Sequence, residues 1–332
     1  MSFLPVTASA PGKLMLFGEH AVVYGSPCIV TAVDRRIEAT VAMNATETVV
    51  VEREGHSAQN LGSVQYVQTE SIDCFDTKYQ FVIMALKTFW EDTQSAFGVI
   101  ITTRSQFTDK EGLGSSSAVT VALMKALSEA TDQGYDLDTV FRLSYATVKA
   151  VQGEDASGFD VAAATYGGTF RYQKDKKNAS LQRETANMSL IVAYSGIKAK
   201  TTEYVAKVKR FKKKEPDLVN NIMEDIEKLV NQAEQAFLRQ DFETAGHLMN
   251  CNHDLLHSLG VSTDVLDCLI DTCKLNGAYG AKLSGAGGGD CIISLAHPKC
   301  KKNVEDGIYK IKRFKHIKVL PVQSGAEGVR IE

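Results

Sequence analysis

One glycine- and serine-rich run lies directly before a strongly apolar segment of this chain. The stretch EGLGSSSAV at residues 111–119 leads into AVTVALMKALSEA at 118–130, which has the character of a helix. A loop of such small residues can bring its backbone N–H groups to the N-terminus of the following helix, where unpaired amides and the helix dipole favour an anion. The three serine hydroxyls can cap the helix, contact phosphate oxygens or ligate Mg²⁺. The local sequence therefore leaves two interpretations open, an ordinary capped helix and a phosphate site.

The composition is typical of a globular protein without a membrane or nucleic-acid partner. Of 332 residues, 44% are hydrophobic and 23% charged, which is enough apolar material for a substantial core. A net charge of −3 gives no general attraction to nucleic acid or to anionic membranes. The N-terminus lacks the basic region of a secretory signal and no long uncharged apolar run is present, so we expect a cytoplasmic protein. Seven scattered cysteines without a C-x-x-C pair indicate reduced thiols.

Strand and helix patterns are mixed along the chain, which favours an α+β fold. RIEATVAM (36–43) alternates as a half-buried strand, and TVVVE (48–52) could pair with it. Further strands are predicted at 98–103, 166–172, 189–196, 280–285 and 290–295, and helices at 77–92, 118–130, 136–151, 216–240, 243–260 and 265–277. A polar, lysine-rich connection at 173–187 predicts a boundary there, which gives domains at 1–183 and 184–332.

Three other segments could carry chemistry, although each has an ordinary structural explanation. APGKLMLFGEHAVVYG (10–25) holds Lys13, Glu19 and His20, which could be a surface lysine and a solvated Glu-His pair. In QGEDASGFDVAAATYGG (152–168), Asp160 could be a general base or a helix cap. KLSGAGGGDCIIS (282–294) could approach a ligand or form a tight strand connection. None of the glycine-bearing segments fits a Walker or dinucleotide-binding pattern.

Two polar clusters favour structural roles over binding. His247, His253 and His257 have no H-E-x-x-H pattern, so we expect core or surface histidines rather than a metal site. The run KVKRFKKK (207–214) could contact RNA, but it lacks neighbouring aromatic residues and the chain is net acidic. A solvated helix face is therefore the favoured interpretation of this run.

The order of the four segments resembles the GHMP small-molecule kinases from about Ala8 to Leu295, and GEHAVVYG is most similar to the mevalonate kinase branch of that superfamily. The resemblance implies an N-terminal ATP-binding domain with a βαβ unit, a ferredoxin-like α+β C-terminal domain, and an active site in the cleft between them. It also implies transfer of the γ-phosphate of ATP to the 5-hydroxyl of mevalonate, a small-molecule substrate. Phosphomevalonate kinase is the alternative, followed by another GHMP small-molecule kinase or a GHMP-fold sensor without turnover. A homodimer is among the assemblies that we consider.

Residue roles also follow from the resemblance. Asp160 is implied as the catalytic base and Lys13 as the cation beside it. The implied ATP-binding residues are Glu111, Gly112, Leu113, Gly114, Ser115, Ser116 and Ser117. The implied substrate-binding residues are Lys13, Glu19, His20, Asp160, Tyr166, Thr201, Gly285, Ala286 and Gly287. For the mevalonate carboxylate, the candidates by motif position are His20, Lys198 and Lys200.

The sequence departs from the family pattern at two positions. Lys149 stands where mevalonate kinases have a glutamate that ligates Mg²⁺, so the expected metal ligands are Ser116 with Glu154 or Asp155 in place of that glutamate. Asp290 stands where mevalonate kinases usually have glycine, and in this respect the third motif is similar to phosphomevalonate kinase. The GEH motif keeps mevalonate as the first expectation.

Overall fold

The computed structural model of the protein describes residues 4–108, 110–153, 156–176, 178–182 and 184–332. Within these ranges the chain forms one mixed and one antiparallel β-sheet, each covered by helices, as expected of an α+β fold.

The larger sheet gathers eight strands of the described chain, mostly from its first half. They are β1 (Val6–Phe17), β2 (Cys28–Met43), β3 (Thr48–Arg53), β4 (Gln59–Ser63), β5 (Val99–Ser105), β6 (Thr169–Tyr172), β7 (Ala179–Ser180) and β12 (Arg330–Ile331). The order is β12-β1-β2-β5-β3-β4, with β6 against β2 and β7 against β6. Strands β3 and β5 are parallel, and the other neighbours are antiparallel.

The predicted pairing of the strand at 48–52 with 36–43 is wrong. Strand β5 lies between them, paired with β2 on one side and with β3 on the other. The parallel β3–β5 pair requires a long crossover, which β4 and two helices supply. The alternation within β2 is confirmed, because Ile37, Ala39 and Val41 are buried.

Helices cover one face of this sheet, and their starts follow local capping signals. They are α1 (Val64–Thr69), α2 (Gln80–Thr93), α3 (Ser115–Ala130), α4 (Leu137–Gln152) and α5 (Phe159–Tyr166). Asp136 caps α4 by accepting the Thr139 N–H at 2.8 Å. Helix α3 begins at Ser115, three residues earlier than predicted, and its N-cap is Gly114 without a side-chain cap. The serine-cap interpretation is therefore wrong.

The second sheet has the order β11-β8-β10-β9 and is antiparallel throughout its described strands. Its strands are β8 (Leu190–Tyr194), β9 (Ala278–Ser284), β10 (Cys291–Ala296) and β11 (Lys318–Leu320). Its helices are α6 (Thr201–Lys214), α7 (Pro216–Leu238), α8 (Phe242–Ser258), α9 (Asp264–Leu275) and α10 (Lys301–Tyr309). The lysine run at 207–214 forms the end of α6.

A shared apolar cluster joins the two sheets and fixes the cleft between them. Leu14 and Phe17 of β1 pack in it with Val192 of β8 and Phe237 of α7, and the two phenylalanine rings meet edge to face at 6.1 Å. Ser284 at the end of β9 exchanges hydrogen bonds with the Met15 backbone at 3.0 and 3.1 Å. Strand β1 is thus held from both sides, which positions the side chains that it presents to the cleft.

Candidate active site

The glycine-serine run forms a loop that wraps around the side chain of Lys13. Gly112 and Gly114 both have positive φ, 68° and 79°, which glycine adopts without strain. A Cβ on Gly114 would lie 3.0 Å from Cε of Lys13, so a side chain there would crowd the lysine stem. The Lys13 ammonium donates to the Gly112 carbonyl at 3.1 Å, and its backbone N–H donates to the Leu113 carbonyl at 2.8 Å. The loop and the lysine therefore form one unit at the N-terminus of α3.

Asp160 is held in the first turn of α5 by two hydrogen bonds. The chain enters this helix through Gly158 at φ 85°. The hydroxyl of Ser117 donates to Oδ2 of Asp160 at 2.6 Å, and the Val161 N–H donates to Oδ1 at 3.0 Å. Because Ser117 is fully buried on α3, its hydroxyl orients the carboxylate relative to that helix.

A buried ion pair lies in the floor of the cleft. The ammonium of Lys282 on β9 donates to Oε1 of Glu19 and, at 2.6 Å, to the Leu283 carbonyl. Lys282 is 0% and Glu19 1% exposed. Burial raises the pKa of Glu19 and lowers that of Lys282, since each loses the hydration of its charged form.

His20 is a neutral donor. Burial lowers its pKa to about 4, and Nε2 lies 3.0 Å from the Ala286 carbonyl oxygen, which can only accept a hydrogen bond. Nε2 therefore carries the proton and ties the first motif to the third glycine loop.

The third glycine loop is packed too tightly for side chains at two positions. A Cβ on Gly287 would lie 2.2 Å from the Val261 carbonyl oxygen, and one on Gly288 would lie 2.0 Å from the Tyr204 ring. The Gly288 N–H also donates to the Val261 carbonyl at 2.8 Å. These glycines are required for close packing, and they hold the loop against α6 and the chain after α8.

These elements enclose a cleft of about 300 Å³. Its lining includes Lys13, Glu19, His20, Ser115, Ser116, Asp160, Lys198, Thr201, Gly285, Ala286 and Asp290. A second cavity of about 590 Å³ opens beside it and shares Ser115, Ser116 and Lys198. Its other walls include residues of β3, β5 and the turn at Thr77–Tyr79. The N-terminus of α3 thus lies where the two cavities meet.

Family models match both halves of the chain. The GHMP kinases N terminal domain matches residues 80–168, and the GHMP kinases C terminal domain matches 233–311. The mevalonate kinase of Pyrococcus abyssi (strain GE5 / Orsay) is 35% identical over 306 residues, which covers 89% of each chain. The chain belongs to the mevalonate kinase family of GHMP kinases. The prediction of a kinase with two GHMP domains is confirmed.

Solved structures of this family have the same fold. The crystal structure of the Methanococcus jannaschii mevalonate kinase is 26% identical, with a TM-score of 0.82, and covers 97% of this chain and 98% of its own. The L. major mevalonate kinase in complex with R-mevalonate is also 26% identical, with a TM-score of 0.74 and 94% coverage of both chains. Within the described residues, no helix is both long and apolar enough to cross a membrane.

The cleft brings together most of the residues that family resemblance selects, but not all. Leu113 is buried in the core, Ser117 lies behind Asp160, and the Glu111 side chain pairs with Lys318 outside the cleft. Tyr166 donates to Asp138 at 2.8 Å in a separate surface cavity, and Gly287 packs on Val261 outside the lining. Glu154 and Asp155 lie outside the described residues. Contacts of these residues with ligands stay predictions.

Sequence reasoning missed two residues of the site. Lys282 begins the third motif, yet nothing in the local pattern indicates that a lysine there is fully buried against Glu19. Asp290 differs from the family glycine, and that departure was the available signal for its position in the cleft wall.

Proposed function

We propose that the chain transfers the γ-phosphate of ATP to the 5-hydroxyl of mevalonate. The observation that carries this proposal is the grouping of Asp160, Lys13 and the N-terminus of α3 around one cleft. Phosphoryl transfer depends mainly on positioning and charge neutralisation, which loop amides, a helix N-terminus and a lysine supply. The choice of acceptor is supported by relatives named mevalonate kinase and by the L. major enzyme in complex with R-mevalonate.

ATP is assigned to the two cavities that meet at α3. Its phosphates fit the loop at residues 111–114, which is called the phosphate loop below, with the hydroxyls of Ser115 and Ser116 at the helix start. The nucleoside fits the adjoining cavity, because that cavity shares both serines and is large enough for a base and a sugar.

The donor set of the cleft suits Mg²⁺. The ion prefers hard oxygen ligands and usually binds through one or two carboxylates together with substrate phosphates. The Ser116 hydroxyl and the Asp160 carboxylate both line the cleft, whereas the described residues contain no cluster of three or more His, Cys, Asp or Glu side chains for a separate protein cage. Bound Mg²⁺ would neutralise charge on the β- and γ-phosphate oxygens. Ser116 is the proposed protein ligand, and Asp160 is a carboxylate in the same lining.

The acceptor half of the cleft is assigned to Glu19, His20, Thr201, Gly285 and Ala286. His20 is unsuited to pair with the mevalonate carboxylate as a cation, because it is neutral and its Nε2 proton is used by the Ala286 carbonyl.

Two lysines remain as candidates for the carboxylate of mevalonate. Lys198 lines the cleft, whereas Lys200 is not part of its lining. Lys198 is therefore the cation that we assign to the mevalonate carboxylate.

In the proposed reaction, Asp160 accepts the proton of the 5-hydroxyl as that oxygen attacks the γ-phosphorus. Ser117 holds the carboxylate oriented, and Lys13 lies beside the phosphate loop, where its charge stabilises the transferring phosphoryl group and lowers the pKa of the substrate hydroxyl. The bond to the β-phosphate oxygen breaks, and ADP leaves.

The assay measures ADP release with mevalonate, phosphomevalonate, galactose and homoserine offered separately. We expect turnover with mevalonate. Turnover of phosphomevalonate without mevalonate would replace the proposed acceptor by the phosphorylated one, and turnover of galactose or homoserine alone would place the chain elsewhere among GHMP kinases.

Asp160→Asn tests the base. The amide keeps an acceptor for Ser117 but cannot take a proton, so kcat should fall by ~10²–10⁴-fold. The matched control is Asp138→Asn, which alters an exposed carboxylate that also accepts from a hydroxyl but lies outside the cleft. A kcat within about threefold of the parent for Asp160→Asn would contradict general-base catalysis by this residue.

We also propose a domain boundary between residues 183 and 184. Strands β1 to β7 precede it, and the second sheet follows it, while β12 returns to pair with β1. A cytoplasmic location and a homodimer remain predictions, and sedimentation at several protein concentrations tests the assembly.

A further inference from the structure

Asp290 follows the glycine run of the third motif and has a backbone conformation that is unusual for a residue with a side chain. Its φ is 57°, in the left-handed region that glycine, asparagine and aspartate adopt most readily. Gly285, Gly287 and Gly288 also have positive φ, so glycine at position 290 would suit the same backbone path. The backbone conformation alone therefore does not explain why an aspartate occupies this position.

Three hydrogen bonds tie Asp290 to the segment between β8 and α6. Its N–H donates to the Ile197 carbonyl at 2.7 Å, and its carbonyl accepts the Ser195 N–H at 2.8 Å. Its side-chain Oδ1 accepts the Ala199 N–H at 2.9 Å. The first two bonds need only the backbone, so the contribution specific to aspartate is the bond to Ala199.

The opposite side of Asp290 rests on the phosphate loop. A Cβ placed on Gly112 would lie 2.6 Å from Cβ and 2.8 Å from Oδ2 of Asp290, so the aspartate occupies the space beside that glycine. Burial raises the pKa of the Asp290 carboxyl, while Lys13 and Lys198 act in the opposite direction. The side chain thus lies between the loop that holds Lys13 and the segment that carries Lys198.

That segment forms one wall of the cleft. Lys198, Ala199 and Thr201 all line it, and α6 begins at Thr201. Fixing the Ala199 amide therefore fixes where α6 starts relative to the phosphate loop. Phosphoryl transfer is sensitive to the separation of its two substrates, since small misplacements lower the rate steeply.

We propose that Asp290 is a positioning residue that anchors the acceptor-binding wall at residues 197–201 to the phosphate loop through its hydrogen bond to Ala199. The proposal rests on the proposed function in assigning that wall to the acceptor. In this role Oδ1 of Asp290 accepts the hydrogen bond from the Ala199 N–H, and Asp290 has no part in proton transfer or in phosphate binding.

Two variants separate the side-chain bond from backbone effects. Asp290→Gly keeps the left-handed backbone and removes the acceptor, whereas Asp290→Asn keeps an acceptor and also tolerates positive φ. We expect Asp290→Gly to raise the KM for mevalonate by roughly tenfold, the scale of one lost charge-assisted hydrogen bond. Its KM for ATP and its melting temperature should stay close to those of the parent, and Asp290→Asn should retain a near-parental KM for both substrates.

Hydrogen–deuterium exchange of the peptide that spans 196–203 gives a second readout, which does not depend on the identity of the phosphoryl-acceptor substrate. Exchange should be faster in Asp290→Gly than in the parent and in Asp290→Asn. If the parent fails to use mevalonate, the proposed function fails while this readout still tests the anchor. Unchanged exchange and KM in Asp290→Gly would overturn the proposal, and so would an Asp290→Asn variant as impaired as Asp290→Gly, because that result would assign the effect to charge.

Discussion

Replacement of Lys282 by methionine tests how the floor of the cleft is stabilised. Methionine has a similar length and is apolar, so Lys282→Met removes the ammonium while it preserves most of the packing. Both partners are buried, Lys282 at 0% and Glu19 at 1% exposure, and Glu19 Oε2 already has no hydrogen-bond partner among the described residues. The substitution would leave a buried carboxylate without its cation. Breaking such a pair costs about 3–5 kcal/mol of unfolding free energy.

Thermal unfolding measures this cost directly. At about 2–4 °C per kcal/mol, the expected loss lowers the melting temperature by roughly 6–20 °C. The double variant Glu19→Gln/Lys282→Met should recover much of that loss, because it leaves no unpaired charge in the protein interior.

The matched control is Lys228→Met, which breaks the exposed ion pair between Lys228 and Asp225. Those side chains are 68% and 52% exposed, and their nitrogen and oxygen atoms are 2.8 Å apart. Exposed pairs contribute little, so the control should change stability by less than about 1 kcal/mol. The reasoning would be refuted by a Lys282→Met loss as small as that of the control, or by a double variant no more stable than the single one.

Three further predictions concern residues around the cleft. Burial lowers the pKa of His20 to about 4, against 6.5 for an unperturbed histidine. As pH falls, the unfolded state therefore binds a proton at this residue before the folded state does. The free energy of unfolding should thus decline by about 3 kcal/mol as pH falls from 6.5 towards 4. Urea unfolding across this range should show a shallower decline in His20→Asn, and equal slopes would count against a buried neutral histidine. Ser117→Ala should lower kcat by about tenfold through loss of the hydrogen bond that orients Asp160, and an unchanged kcat would exclude that role. Gly114→Ala should displace the Lys13 side chain and lower kcat by at least about tenfold. Full activity would show that the loop accommodates a side chain at this position.

Local patterns in the sequence predicted much of the secondary structure. Alternation in β2 identified its buried face, because side chains of a strand point to opposite sides in turn. The helix predicted at 136–151 is α4, which begins after Asp136, and the cap that Asp136 provides depends only on residues within one turn. The site was predicted from the order of four motifs rather than from any single segment, because each motif alone also has an ordinary structural explanation.

The tertiary structure decided which predicted elements are neighbours. Strand β3 pairs with β5 rather than β2, because a parallel crossover depends on how distant elements pack and not on the pattern within β3. The same holds for Tyr166, which belongs to the motif around Asp160 but projects into another cavity at the end of a short helix.

By itself, the sequence determined the presence of a phosphate-loop helix, a lysine, an aspartate and flexible glycines in the order typical of GHMP kinases. Only the tertiary structure paired Lys282 with Glu19, Ser117 with Asp160, and Asp290 with both Gly112 and Ala199. Backbone propensity and side-chain period act over a few residues, so they carry information about local elements. The pairs form across 43 to 263 positions of the chain, where burial and mutual charge compensation, rather than local pattern, select the partners.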